Sequence, residues 1–137
     1  VEQARSADAS TALISELPGR RELPLGYAPQ LARIEKVRDL HDRVLPPDSA
    51  HRSHVVSRFF EEGTAIALTR PNGWNARPDW RWTVDTPRDL EMARAAFELF
   101  GDEWAEVGYP RMVELLDARS DVTRMNIGVR QKSLAER

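Results

Sequence analysis

Apolar residues along this chain come in short bursts, and the spacing within each burst predicts an element. Leu13 and Ile14 sit inside a polar stretch, so Thr11–Glu16 reads as a short strand. Leu17–Tyr27 holds two Pro, two Gly and the adjacent pair Arg20 and Arg21, the composition of an irregular loop. Pro29–Ile34 alternates weakly, as a strand leading into a helix. Val37, Leu40, Val44 and Leu45 then fall at helical spacing and predict an amphipathic helix over Glu35–Val44, ended by Pro46 and Pro47. Asp48 or Ser49 can cap a second helix, about Ala50–Glu62, which stops at Gly63. Thr64–Thr69 reads as a short buried strand and Arg70–Asp79 as a turn-rich loop. Trp80, Trp82 and Val84 alternate with Arg81, Thr83 and Asp85, the period of a strand whose Trp82 and Val84 lie in a sheet. Thr86 as N-cap, Pro87 at the first helical position and Asp89 in the first turn start the next helix, and Gly101 ends it. Leu90, Ala93, Phe97 and Phe100 mark its buried face, with Phe97 packing on the sheet. Tyr109–Asp117 is a further short helix, and the tail from Asp121 is polar apart from Met125, Ile127, Val129 and Leu134. Strands and helices are intermixed without internal repeat, which predicts an α/β class.

Composition narrows the function. The 137 residues suit one domain or part of one, and 41% hydrophobic residues suffice for a core. A net charge of -2 excludes a strongly basic nucleic-acid binder. The absence of cysteine excludes disulfide scaffolds, zinc ribbons and thiol nucleophiles. The longest apolar run, Ala65–Leu68, is four residues, against the ~20 of a membrane helix. With no apolar signal region, these features predict a cytoplasmic protein without a membrane partner. The chain starts at Val1 rather than Met, as a processed, cleaved or partial chain would.

Few residues offer chemistry. Asp85 falls just past the carboxyl end of a strand, the edge where open α/β sheets bind ligands. A carboxylate there either ligates Mg²⁺ bridged to phosphate oxygens or favours the dipole of the following helix. His51 and His54 stand three apart with His41 nearby. No HExxH pattern accompanies them, so a backbone-bonded histidine or a ligand contact is the simpler reading than zinc. Arg20 and Arg21 either grip a phosphate or carboxylate or are solvated loop residues. Trp80 and Trp82 alternate as core residues do, and their neighbours are not basic enough for a base-stacking platform. The sequence has no GxxxxGK[ST], GxGxxG or GxSxG.

The segment RWTVDTPRDLEMARAAFELFG resembles the C-terminal signature of CTP-dependent cytidylyltransferases of the spore-coat polysaccharide type. LPLGYAPQLARIEKVRDLHDRV resembles that family's Pro–Gly loop, strand and helix. AHRSHVVSRFF resembles its Arg–Glu–His–Val–Thr helix, and Asn126 and Lys132 its polar closing stretch. The likeness runs from about Leu17 to Lys132. It implies the C-terminal half of a nucleotide-diphospho-sugar transferase-like, Rossmann-like three-layer fold with a mixed sheet. The implied activity is transfer of CMP from CTP to an acidic acceptor with release of pyrophosphate, commonly in a homodimer. By the same resemblance Asp85 is the catalytic carboxylate on Mg²⁺, His54 lies near the acceptor, and Arg20, Arg21 and Arg52 suit an anionic substrate. The family's N-terminal nucleotide loop has no counterpart here. The resemblance therefore implies that the chain is stable only with a partner, either a missing N-terminal half or a second copy. Gly26–Gln30 lacks the carboxylates of sugar-type members, and Ser53 stands where the family has Glu. The acceptor is accordingly a sugar acid or a phosphonate. The alternative is a non-catalytic binding or dimerisation module derived from such an enzyme.

Overall fold

The computed structural model describes residues 2–27, 29–43, 51, 54 and 56–131. They form two compact units, one from residues 2–20 and 29–69 and the other from 21–27 and 70–131.

The first unit holds α1 (Glu2–Ser6), β1 (Leu13–Ser15), β2 (Leu31–Ala32), α2 (Ile34–Asp42), α3 (Ser57–Glu61) and β3 (Ala65–Ala67). The sheet order is β2-β1-β3. β1 runs antiparallel to β2, with Leu13 opposite Ala32, and parallel to β3, with Ile14 opposite Ile66. As the central strand, β1 is buried throughout. Its flank supplies a core of Ala12, Leu13, Leu40 from α2 and Phe59 from α3. Arg33 fastens the N-terminal segment to this sheet. Its Nε donates to the Thr11 carbonyl at 2.9 Å and its Nη2 to the Ala7 carbonyl at 3.0 Å. Gln3 of α1 continues the ladder beyond β3, donating to the Ala67 carbonyl at 2.7 Å and accepting from the Thr69 N–H at 2.9 Å.

The expected elements of this unit are present but shorter. β3 is not buried along its length as expected; Ile66 and Ala67 are exposed, because β3 is an edge strand with β1 on one side only. The described helical residues of the expected Ala50–Glu62 helix are Ser57–Glu61. His54 lies in a bend before them, and Arg52 and Ser53 lie outside the described residues.

The second unit holds α4 (Pro87–Phe100), a 3₁₀ turn at Gly101–Glu103, α5 (Tyr109–Asp117) and α6 (Ser120–Thr123). The start of α4 is a complete capping box. The Thr86 hydroxyl accepts from the Asp89 N–H at 3.3 Å and the Asp89 carboxylate accepts from the Thr86 N–H at 2.9 Å. Met92, Ala96 and Phe100 of α4 pack with Leu116 of α5 and Val122 of α6, and Trp80 and Trp82 lie half-buried against them. Beside this core the Trp74 ring stacks on Tyr109 at 4.5 Å, and the Tyr109 hydroxyl donates to the Asn75 carbonyl at 2.7 Å. Tyr27 meets Trp82 edge-on at 5.2 Å.

Two sequence expectations change in this unit. Trp80–Val84 is not a sheet strand; it makes one parallel bridge, Arg81 to Leu25. The Leu25 N–H donates to the Trp80 carbonyl at 2.9 Å and the Trp82 N–H to the Leu25 carbonyl at 2.8 Å. Gly26 beside this bridge has φ +94°, and a Cβ there would come within 2.6 Å of Thr83 Cγ2. Arg81 is the buried residue of the run, whereas Val84 is 56% exposed. The second change follows from the first. The buried face of α4 is Asp89, Met92, Ala96 and Phe100, while Leu90 and Phe97 are exposed. The helix is turned by about one residue, ~100°, from the face that hydrophobicity alone selects. Phe97 instead pairs with Trp104 on the surface at 6.0 Å.

Candidate functional site

At the turn that joins the Arg81 bridge to α4, three polar side chains, Asp85, Asp89 and Gln131, bond one buried guanidinium. Asp89, in the first turn of α4, is 1% exposed, and Arg81 is 7% exposed. Arg81 Nε donates to Asp89 Oδ1 at 2.9 Å and Nη2 donates to Oδ2 at 3.2 Å, a bidentate fork. Nη2 also donates to Asp85 Oδ2 at 2.7 Å, and Nη1 donates to Gln131 Oε1. Asn126 closes the far side. Its amide donates to the Arg81 carbonyl at 2.9 Å and to Asp89 Oδ1 at 2.9 Å. Asp89 Oδ2 further accepts from the Asp85 N–H at 3.1 Å and the Thr86 hydroxyl at 2.9 Å. Burial pushes the Asp89 carboxyl up, but hydrogen bonds from Arg81, Asn126, Thr86 and the Asp85 N–H outweigh it and hold the group well below the usual carboxylate range.

Asp85 stands at the lip of this network, its side chain 54% exposed, with one oxygen on Arg81. A hard carboxylate oxygen in that position fits Mg²⁺, which is commonly held by one or two carboxylates and completed by water and phosphate oxygens. Among the described residues no three His, Cys, Asp or Glu side chains converge, so Asp85 offers one ligand rather than a closed metal cage. Behind the turn lies a cavity of about 210 Å³ whose lining includes Trp82, Thr83, Met92, Ala96 and Phe100. Its walls are mostly apolar, so a phosphate would lose its hydration there without replacement.

No protein-family model and no curated protein matches the sequence. Among solved structures, the chain is similar to that of a cytidylyltransferase from Leptospira borgpetersenii serovar Hardjo-bovis (strain JB197), with a TM-score of 0.70 and 14% identity over 92% of this chain and 49% of that one. The shared fold is that of a cytidylyltransferase. At this identity the likeness concerns the fold, a mixed α/β architecture, and the chain spans about half the length of the cytidylyltransferase it matches.

Within this cytidylyltransferase-like fold the other sequence candidates find separate partners. Arg21, in the second unit, donates from Nε and Nη2 to the Pro78 carbonyl at 3.0 and 2.5 Å. Arg20, in the first, is exposed, and its N–H closes a turn onto the Leu17 carbonyl at 3.0 Å. His54 is half-buried and its carbonyl accepts from the Ser57 hydroxyl at 2.5 Å. Arg52 lies outside the described residues. His51 bonds Ser57 Oγ through Nδ1 at 2.7 Å and Glu61 through Nε2 at 3.2 Å. Sequence reasoning missed Arg81, Asp89 as a buried acid, and Gln131. The one local signal was the Thr86–Asp89 spacing, which marks the cap but not the buried cation that Asp89 also binds.

Proposed function

We propose that this chain forms part of a cytidylyltransferase of the spore-coat polysaccharide type that transfers CMP from CTP to an acidic acceptor, a sugar acid or a phosphonate. The observation that carries the reading is the likeness of fold to a cytidylyltransferase over 92% of the chain. The exposed carboxylate of Asp85 on a rigid turn adds the chemistry such a transfer needs. An oxygen of the acceptor attacks the α-phosphorus of CTP, the bond to the bridging β-phosphate oxygen breaks, and pyrophosphate leaves. The reaction is mostly a matter of positioning and charge neutralisation. Asp85 would hold Mg²⁺ in part, and the metal would supply charge neutralisation to the phosphates. Arg20, Arg21, Arg52 and His54 are the candidates for the acceptor's negative charge, supported by residue type. The partner class is small anions, CTP and acid, with a complementary half or a second copy of the chain completing the protein.

Asp85→Asn in the complete gene product tests this reading. It keeps the side chain's size and the Thr86 cap but removes the negative charge. Loss of one preorganised electrostatic group predicts a fall in rate of about 10²–10³-fold. The melting temperature should move little, because the Asn amide oxygen can still accept from Arg81 and an ion pair with one half-exposed partner is worth about 0–1 kcal/mol. A near-wild-type rate at saturating Mg²⁺ with a lowered melting temperature would leave Asp85 as a helix-start residue and favour the non-catalytic module.

A further inference from the structure

The network around Arg81 has more contacts than a fold clamp needs. One guanidinium faces two carboxylates, Asp89 and Asp85. The fork on Asp89 alone would fasten α4 to the Arg81 bridge. Yet the same Nη2 that bonds Asp89 at 3.2 Å reaches Asp85 Oδ2 at 2.7 Å. Asp85 is therefore held at both ends, its N–H on Asp89 Oδ2 at 3.1 Å and its carboxylate on Arg81. Gln131 accepts from Nη1, and Asn126 donates to the Arg81 carbonyl, so both the head group and the backbone of Arg81 are tied. A Lys head group could pair with one acid but has no planar fork to span both at set angles. Nη2 has one acceptor on each acid, Oδ2 of Asp89 and Oδ2 of Asp85, and the Asp85 side chain is 54% exposed. Two formal negative charges against one positive charge leave the turn suited to a further cation.

We propose that Arg81 is a positioning residue: by holding Oδ2 of Asp85 it presents Oδ1 in one fixed direction. This rests on the reading of Asp85 as a Mg²⁺ ligand given above. Partners that orient a metal-binding carboxylate typically matter 10–100-fold in metal affinity or activity.

Arg81→Lys, Asp85→Asn and the wild-type protein are compared by titration with Mn²⁺ in the presence of CTP, read by electron paramagnetic resonance, with a melting curve and a kcat and KM for CTP on each. Arg81→Lys is expected to bind Mn²⁺ about 10-fold more weakly and to lose kcat with KM for CTP little changed, at temperatures well below its own melting point. A lowered melting temperature with unchanged Mn²⁺ affinity and kcat would make Arg81 a structural residue only and overturn the inference, while an Asp85→Asn defect left the functional reading standing. Unchanged Mn²⁺ affinity in Asp85→Asn would overturn both. Should Arg81→Lys not fold, guanidinium ¹⁵N–¹H spectra of the wild type and Asp85→Asn decide. A displaced Arg81 Nη2 signal in Asp85→Asn supports the contact, and an unmoved one overturns it.

Discussion

A buried arginine survives in the second unit because its guanidinium donates to two acids, Asp85 and Asp89, and to the Gln131 amide. Asp89, its bidentate partner, is itself satisfied on both oxygens. Removing one partner of such a pair leaves an uncompensated charge, so Asp89→Asn should cost about 3–5 kcal/mol at neutral pH. The pH dependence follows from the depressed carboxyl of Asp89. A group whose folded value lies below its unfolded value, ~3.9, stabilises fully above the unfolded value and loses that contribution as pH falls through the folded one. The gap in melting temperature between wild type and Asp89→Asn should be widest near neutrality and narrow below about pH 4. A gap of equal size at pH 3 and pH 7 would assign the loss to packing. At this scale the Thr86–Asp89 cap was legible, since it is local. The sequence did not show Arg81, because an arginine between two tryptophans reads as solvent-facing until its acid partners are known.

α4 carries the clearest consequence of that network. Its ends were legible: Thr86 and Pro87 open it and Gly101 closes it, each by backbone chemistry that needs no distant partner. Its face was not. Leu90, Ala93 and Phe97 are as apolar as Met92 and Ala96, and pattern alone favours the first set. Asp89 turns inward to meet Arg81 and Asn126, and the whole helix turns with it. Met92→Ala should therefore cost about 2–5 kcal/mol in denaturant unfolding, as large-to-small core changes do. Phe97→Ala, at a side chain 53% exposed, should stay within roughly 1 kcal/mol. The reverse order would restore the face that hydrophobicity selects. β1 shows the opposite case, where a short apolar pair in polar surroundings sufficed, because a central strand buried on both sides needs little more than Leu13 and Ile14.

For the molecule as a whole, two compact units together match about half of a longer cytidylyltransferase. The mixed α/β class was readable from the alternation of elements, and the structural likeness agrees with the fold that the resemblance of the Arg81–Gly101 segment implies. Parallel pairing of β1 with β3 was not readable, since register between strands far apart in sequence is set by tertiary packing. Val84, Leu90, Phe97 and Trp104 leave large apolar side chains at the surface of the second unit. No helix among the described residues is long and apolar enough to cross a membrane. The proposed CMP transfer is tested by pyrophosphate release from CTP by the complete gene product, with Mg²⁺ and a panel of sugar acids and phosphonates. Release is expected to depend on an acidic acceptor and to fall sharply when ATP, GTP or UTP replaces CTP. A protein that melts cooperatively yet releases no pyrophosphate from CTP with any acid in the panel would contradict the proposal.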